Sequence, residues 1–306
     1  MKRKIYFLAL LPIFLSGVGC KQSKPMDNNN NIDVIIISGQ SNAVGCTKSY
    51  CIPYCESLGQ AKYDEYNAGY PSVKMAYECW TKNPGEAGGY DFIVQNSSPD
   101  NEFVKVKLGQ GNGSGTFGPE IGIAEAFVQN SDRNLYIIKI ACGASNLKND
   151  WAAKTSRMYP FMIDYIETEM QILKADGYNP IIKAFCWMQG EGDAWDGLYQ
   201  VYKSNLELFV GNIREDLAEY TGNKELPFID AGISSASQWQ YYREVNQAKR
   251  QFAEESPNNY FIDTIAEGLH TNQEPADAPD EAHYDSESQV QLGHLFYEHF
   301  KQFLKK

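Results

Sequence analysis

The chain has 306 residues, of which 43% are hydrophobic, and a formal net charge of −12. This length allows a sizeable core, and the apolar runs recur evenly without an obvious linker, so we predict one domain over residues 32–306. The negative charge disfavours nucleic acid and anionic surfaces as partners and favours a neutral ligand such as a sugar.

Residues 1–20 have the pattern of an export signal rather than of a folded segment. A basic start precedes an apolar run that is too short to span a bilayer, and Cys20 follows the small residues of a processing site. This arrangement resembles a bacterial lipoprotein signal, with Cys20 as the lipidated residue and residues 21–31 as a polar tether. We expect an exported lipoprotein at the cell envelope, in the periplasm or on the outer membrane, whose only membrane contact is the lipid anchor. An ordinary cleaved secretory signal is the alternative.

The first predicted strand ends in a turn that suits a nucleophile. Residues 33–37 include four consecutive β-branched side chains, which indicates a strand covered on both faces. Gly39 lets the chain bend so that Ser41 opens a helix, with its hydroxyl beside amides that have no helical partner. Such a serine is a candidate nucleophile, although an N-cap role explains it equally simply.

Residues 46–116 do not show the regular alternation of apolar strands and amphipathic helices that is predicted for the rest of the chain. They are rich in Tyr, Gly, Asn and Cys, and contain only short strand candidates at Val73–Tyr77 and Phe103–Leu108. We predict an insertion beside the site, because long loops of this kind in compact domains are commonly binding loops or lids. The alternative is a peripheral segment that disulfides hold in place and that has no role in binding.

Six cysteines remain when Cys20 is set aside. Pairing within the first four is open in an oxidising compartment, and Cys142 and Cys186 are predicted to be small buried residues at strand ends. No histidine lies near the first three, and no paired Cys-x-x-Cys knuckles are present, so we predict no metal site and no cofactor. The six are Cys46, Cys51, Cys55, Cys79, Cys142 and Cys186.

Apolar strands and amphipathic helices alternate through the rest of the chain, which predicts a parallel sheet with helices on both faces. Ligands bind such sheets at the carboxyl ends of the strands. The predicted strands are Asn134–Ala141, Ile181–Trp187, Leu226–Ala231 and Tyr260–Asp263. The predicted helices are Pro119–Gln129, Pro160–Ala175, Leu198–Tyr220, Trp239–Glu254 and Ser286–Leu304.

Polar and small residues follow the second and third of these strands. Gly143 allows close backbone approach, and Gln189 offers a neutral side-chain donor. Glu191 and Asp193 add carboxylates in a turn loosened by glycine. Each has a structural alternative: Gly143 as a hinge, Gln189 as a tie between loops, and Asp193 as a helix cap.

His283 is the best candidate for a general base among four histidines. It lies in a loop with Asp280 three residues earlier, and a hydroxyl nucleophile needs an imidazole that a carboxylate orients. His270, His294 and His299 have no such spacing, and we interpret them as surface or core-edge residues.

Five motifs in order resemble the SGNH-type hydrolases, and most closely the sialate O-acetylesterase and acetylxylan esterase group of carbohydrate esterases. The resemblance covers essentially the whole mature chain. The motifs are Gly39-Gln40-Ser41-Asn42, Gly118-Pro119-Glu120, Gly143, Trp187-x-Gln189-Gly190-Glu191-x-Asp193 and Asp280-x-x-His283.

The resemblance implies a three-layer α/β/α sandwich with a central parallel, flavodoxin-like sheet. It implies a carbohydrate O-acetylesterase that acts on an acetylated glycan, with Ser41 as nucleophile, His283 as general base and acid, and Asp280 as its orienting carboxylate. The amides of Ser41 and Gly143 and the side chain of Gln189 would form the oxyanion hole.

Three further residues, Gln40, Asn42 and Glu191, are candidates for orienting His283 or for contacting the substrate. Glu191 competes with Asp280 for the first role, and we favour Asp280. Two other functions stay open: an SGNH esterase or lipase that acts on non-sugar esters, and a tethered glycan-binding protein without turnover.

Overall fold

The computed structural model describes residues 30–48, 60–85, 89–271 and 279–305. The predicted signal peptide, Cys20 and nearly all of the predicted tether lie outside these ranges. The first strand begins at Asn31, so the last residue of the predicted tether belongs to the domain. Within the described ranges, no helix has the length and apolar character needed to cross a membrane.

Ten strands and eight α-helices are numbered here in chain order. The strands are β1 (Asn31–Gly39), β2 (Thr47–Lys48), β3 (Tyr70–Pro84), β4 (Tyr90–Ser97), β5 (Val104–Val106), β6 (Thr116–Phe117), β7 (Leu135–Gly143), β8 (Asn179–Met188), β9 (Phe228–Ala231) and β10 (Asn259–Ile262). The helices are α1 (Ser41–Val44), α2 (Gln60–Ala68), α3 (Glu120–Asn130), α4 (Met158–Ala175), α5 (Glu191–Trp195), α6 (Tyr202–Asp216), α7 (Tyr242–Ala253) and α8 (Ser286–Phe300).

The main sheet has the strand order β10-β9-β8-β1-β7-β3-β4, and β5 also pairs with β3. All neighbours from β10 to β3 are parallel, whereas β4 and β5 run antiparallel to β3. Residues 34–37 of the central strand β1 are at most 1% exposed, as expected for an apolar strand covered on both faces. The predicted α/β fold, a mostly parallel sheet between helical layers, is confirmed.

The four strands and five helices predicted after residue 116 all form, with ends that differ by a few residues. The main difference is the helix predicted over Leu198–Tyr220. Its α-helical part is α6 alone, because Val201 and Leu217, with φ of −111° and −95°, leave helical geometry at the two ends.

The stretch predicted as an insertion contributes a strand to the main sheet. β3 pairs with β7 from Val73 to Thr81 in parallel register, so this part of the chain is integral to the fold. The strand predicted at Val73–Tyr77 is the middle of β3; its full length was not predicted because charged residues recur along one side of the strand, among them Glu78 and the nearly buried Lys82.

The cysteines of the described residues are free thiols. A disulfide between Cys46 and Cys79 is therefore ruled out in this structure, while Cys51 and Cys55 lie outside the described residues. Cys142 and Cys186 are fully buried, as predicted.

Candidate active site

Ser41 lies at the carboxyl edge of the sheet, where β1 turns into α1. Gly39 has φ of 139°, and a Cβ atom there would lie 2.0 Å from the carbonyl oxygen of Met188, so only glycine fits this turn. Gln40 and Asn42 are 3% and 1% exposed, whereas Ser41 between them is partly exposed. The turn thus presents the hydroxyl and buries its neighbours.

Gln40 fixes the turn to the loop that follows β8. Its Oε1 atom accepts hydrogen bonds from Gln189 Nε2 at 3.2 Å and from the amides of Gly190 and Gly192 at 3.1 Å. Three donors on one buried oxygen hold the two loops in a single geometry. Gln40 is therefore a positioning residue with no free acceptor for substrate at this atom.

Asn42 connects Ser41 to two other parts of the site. Its Nδ2 donates to Glu191 Oε1 at 2.8 Å, and its Oδ1 accepts from the amide of Tyr284 at 3.0 Å. The side chain of Gln289 donates to the carbonyl of Asn42 at 3.0 Å. Because Tyr284 follows His283, this link brings the loop of the predicted base to the turn of the predicted nucleophile.

Asp280 contacts His283 in the manner that a catalytic pair requires. Its Oδ2 atom lies 2.6 Å from His283 Nδ1, and its Oδ1 accepts from the amide of Ala282 at 2.8 Å. Burial lowers the pKa of His283, but the hydrogen bond to Asp280 and the neighbouring Cys46 thiol outweigh burial and raise the pKa to about 10. Burial raises the pKa of Asp280, yet the bond to His283 lowers it to about 2.

Glu191 has a different environment from Asp280. It is fully buried, its Oε1 takes the Asn42 amide, and no described donor reaches its Oε2. Burial raises the pKa of Glu191. Between the two carboxylates considered for orienting His283, Asp280 is the one in hydrogen-bond contact with the ring.

Ser41 and His283 face the same edge of the sheet but share no hydrogen bond among the described residues. Besides Asp280, the side chain that favours the charged form of the imidazole and so raises its pKa is that of Cys46. In unliganded enzymes, catalytic hydrogen bonds are often long and tighten only when substrate binds.

Gly143 is adjacent to Ser41, as predicted for an oxyanion-hole residue. A Cβ atom on Gly143 would lie 4.0 Å from Ser41 Cβ and 3.6 Å from Thr81 Oγ1. Thr81 donates a hydrogen bond to Asn112 Oδ1 at 3.3 Å. The sequence did not reveal Thr81 and Asn112, because both lie in the stretch whose strand pattern is obscured.

Gln189 does not offer a donor to an oxyanion in this structure. It is fully buried, and its Nε2 donates to Asp193 Oδ2 at 2.6 Å as well as to Gln40. Its Oε1 accepts from the hydroxyl of Tyr202 at 3.1 Å. Both N–H groups of the Gln189 side chain therefore already have acceptors. The structural alternative, in which Gln189 connects two loops, describes its position.

Asp193, which lies in α5, also takes part in this connection between loops. Its Oδ2 also accepts from the amide of Leu147, at 2.7 Å, which joins the loop after β7 to the loop after β8. Burial raises the pKa of Asp193 to about 6.

Two buried ion pairs support the edge that carries Ser41. Lys139 pairs with Glu120 at 2.9 Å and also donates to the carbonyl of Val44 at the end of α1, which explains the Gly118-Pro119-Glu120 motif. Lys249 pairs with Asp230 at 2.5 Å. The four charged side chains are at most 1% exposed, so each depends on its partner.

The other three histidines have partners of their own. His270 Nδ1 lies 2.7 Å from Asp285 Oδ1, and its side chain is 39% exposed. His294 Nε2 lies 2.9 Å from Glu125 Oε2, and His299 contacts a carbonyl of its own helix. None of these contacts reaches Ser41.

The sequence matches the family described as "Carbohydrate esterase, sialic acid-specific acetylesterase" over residues 31–302. The chain belongs to this family. Membership supports an acetylesterase, that is, a hydrolase that acts on esters, and it confirms the resemblance found in the five motifs. Among curated proteins, none matches this chain significantly.

Solved structures agree on the fold. A protein from Arabidopsis thaliana aligns with a TM-score of 0.60 and 21% identity, covering 89% of this chain and 99% of that one. NanS aligns with a TM-score of 0.60 and 16% identity, covering 90% and 98%. A carbohydrate acetylesterase from Xanthomonas citri aligns with a TM-score of 0.52 and 13% identity, covering 89% and 56%.

Proposed function

We propose that this family member is a carbohydrate O-acetylesterase that removes acetyl groups from glycan hydroxyls by a Ser-His-Asp mechanism. Ser41 is the nucleophile, His283 the general base and acid, and Asp280 the carboxylate that orients it. The observation that carries the proposal is the chain of contacts from Asp280 through His283 and Tyr284 to Asn42, the neighbour of Ser41.

The first half of the reaction transfers the acetyl group to the enzyme. His283 accepts the proton of Ser41 as the Ser41 oxygen bonds to the acetyl carbon, and the carbonyl oxygen becomes negative. The amides of Ser41 and Gly143 would stabilise that charge, and the proximity of Gly143 to Ser41 supports this assignment. The bond to the sugar oxygen then breaks, and His283 returns the proton to the sugar hydroxyl. Water repeats these steps on the acetyl-enzyme and releases acetate.

Aromatic side chains near the site support a sugar as the substrate. Trp195, at the end of the helix that Glu191 begins, is 60% exposed and packs edge-on against Trp239 with ring centroids 6.4 Å apart. An exposed indole offers a flat apolar face to a sugar ring. We assign Trp195 to substrate binding outside the reacting centre.

Export and lipidation of Cys20 belong to the same proposal, in which the enzyme meets its glycan at the cell envelope. This part depends on the sequence of residues 1–20 alone. Peptide mass analysis tests it, because a diacylglyceryl modification at Cys20 would be found in the mature protein, whereas ordinary secretory cleavage would leave none.

The activity is tested by measuring acetate release from O-acetylated sialic acid, acetylated xylan and pectin, beside long-chain aryl esters. We expect release from at least one glycan and a loss of about a thousandfold or more in kcat for Ser41→Ala. Ser204→Ala, on the exposed surface of α6, is the matched control and keeps full activity.

Two outcomes contradict the proposal in different ways. Acetate release that survives Ser41→Ala excludes the serine mechanism. Faster cleavage of long-chain esters than of every glycan favours a lipase, and glycan binding without acetate release favours a binding protein.

A further inference from the structure

A cavity of about 460 Å³ lies between β3, the end of β4 and α4, away from Ser41. Four carboxylates line it, and none of the described residues around it is basic. The four are Glu78, Asp100, Asp164 and Glu169. A concave surface with this charge attracts a cation, provided that at least one carboxylate has no partner of its own.

Glu169 meets that condition. It is 5% exposed, and no hydrogen-bond donor in the described ranges reaches its Oε2 atom. Burial and the nearby carboxylate of Glu78 raise the pKa of Glu169 to about 7. Buried carboxylates in proteins normally accept at least one hydrogen bond, so a nearly buried carboxylate that lines a cavity and accepts none from the described residues points to an absent ligand.

Part of the remaining wall of the cavity is aromatic. Trp80 and Phe161 are stacked with ring centroids 5.4 Å apart, and Phe161 is 49% exposed although it is a large apolar residue. Trp80 also donates to Glu78 Oε2 at 2.9 Å, which fixes the ring beside the carboxylate. Aromatic faces beside carboxylates are a common environment for ammonium groups, since both attract a cation.

The donor arrangement does not suit a bare metal ion. In the part of the chain that the structure describes, no three His, Cys, Asp or Glu side chains converge as metal ligands. The volume is also far larger than one ion requires. The ligand that fits is therefore an organic molecule with one cationic end.

We propose that this cavity binds an organic ligand through an ammonium group, which would lie against Glu169 and Glu78, with the ligand's ring or chain on Trp80 and Phe161. The site is separate from the reacting groups, and the proposal does not depend on the esterase activity. An amino sugar and an alkylamine share the required chemistry.

Binding should depend on pH in a defined direction. An ammonium ion favours the charged form of Glu169, so binding strengthens as pH rises through about 7. For one group with this pKa, the dissociation constant is about tenfold larger at pH 6 than at pH 8. The titratable groups that line the cavity with Glu169 are Glu78 from β3, Asp100 after β4, and Asp164 and Tyr165 from α4, and of these Glu78 and Tyr165 interact electrostatically with Glu169.

The test is calorimetric titration at pH 8 of the folded chain, with cyclohexylamine and with 6-amino-6-deoxyglucose. Cyclohexanol and glucose are the neutral counterparts. We expect saturable binding of at least one amine, no binding of its counterpart, and affinity about tenfold lower in Glu169→Gln. Which amine binds distinguishes a sugar ligand from an alkyl one.

Glu167→Gln is the matched control, because it removes the same charge from the same helix outside the cavity. Glu78→Gln is a second variant, and thermal denaturation verifies that every variant folds. The proposal is overturned if neither amine saturates, if both neutral counterparts bind equally well, or if neither cavity variant weakens binding. Calcium that displaces the amine with higher affinity would also overturn it. Repeating the titration with Ser41→Ala separates this result from the esterase proposal.

Discussion

Two groups of buried carboxylates in this protein differ in what surrounds them. Beneath the catalytic edge, Glu191 accepts from Asn42, Asp193 from Gln189, and Asp230 from Lys249. Each of these three keeps one oxygen without a described donor, whereas Glu169, in the cavity beside α4, accepts no hydrogen bond at either oxygen from the described residues.

The difference separates two uses of a buried charge. A carboxylate that accepts bonds from several loops fixes those loops, and its burial is offset by these bonds. A carboxylate that keeps an open lone pair in a cavity is destabilising until a cation arrives. Five substitutions test this contrast and the proposed site, beginning with the largest expected effect.

Asp280→Asn removes the carboxylate that contacts His283, the proposed catalytic base, and we expect kcat/KM to fall about a thousandfold or more. His283 must be neutral to accept a proton, so its raised pKa places the rise of activity above neutral pH in the wild type. Without the carboxylate, the imidazolium is less stable, and the rise moves to lower pH. The measurement is the pH profile of kcat/KM.

Glu191→Gln is the companion to that experiment, because Glu191 does not contact the His283 ring. We expect a smaller loss and an unchanged pH profile. If only Glu191→Gln loses several orders of magnitude, the assignment of Asp280 as the orienting carboxylate is wrong.

Lys249→Met leaves Asp230 buried without its cation, and we expect the free energy of unfolding to fall by about 3–5 kcal/mol. The measurement is urea denaturation. Lys203→Met removes a surface lysine that pairs with exposed carboxylates and should cost less than about 1 kcal/mol. Adding Asp230→Leu to Lys249→Met should restore much of the loss. If Lys249→Met and Lys203→Met lowered the free energy of unfolding equally, the buried ion pair would be no more important for stability than the exposed one.

Asn42→Ala breaks the link between the turn of Ser41 and the loop of His283. We expect kcat to fall about a hundredfold with little change in KM, because the reacting groups lose their alignment while substrate contacts remain. Asn130→Ala, which removes a bond at the end of α3, is the control and keeps full activity. A variant of Asn42 with wild-type kcat would show that the link does not position the base.

Glu169→Gln should stabilise the unliganded protein at pH 8 by about 1–3 kcal/mol. The pKa of Glu169 is raised in the folded state, so the contribution of this one group to stability is most favourable below pH 4.5 and is lost as pH rises towards about 7. The difference between variant and wild type should therefore vanish near pH 4. Chemical denaturation at both values measures it, and Glu167→Gln should show no such pH dependence. A Glu169→Gln variant that is less stable at pH 8 would mean that the carboxylate has a partner.

Local patterns were sufficient to predict most of the fold and part of the site. The apolar run of β1 predicts a strand covered on both faces, and the spacing of Asp280 and His283 predicts a contact within one turn of chain. The position of Gln189 could not be predicted, because Tyr202, Gln40 and Asp193 meet it only after folding. Only the part Val73–Tyr77 of the strand β3 was predicted, because charged residues further along the strand find buried partners, as Lys82 does with Asp150.

The cavity was invisible in the sequence for the same reason. Glu78 and Glu169 lie far apart along the chain, on a strand and on a helix, and neither belongs to a motif. Carboxylates that come close together only in the tertiary structure produce no periodic pattern in the sequence.

The hydrogen bond between Asn42 and Tyr284 joins positions 242 residues apart. Contacts of such long range close slowly during folding, since the loop they close is nearly the whole domain. A refolding chain would regain its secondary structure well before it hydrolysed any ester. Esterase activity should therefore return late during refolding. Its return would show that the N-terminal and C-terminal parts of the domain have come together.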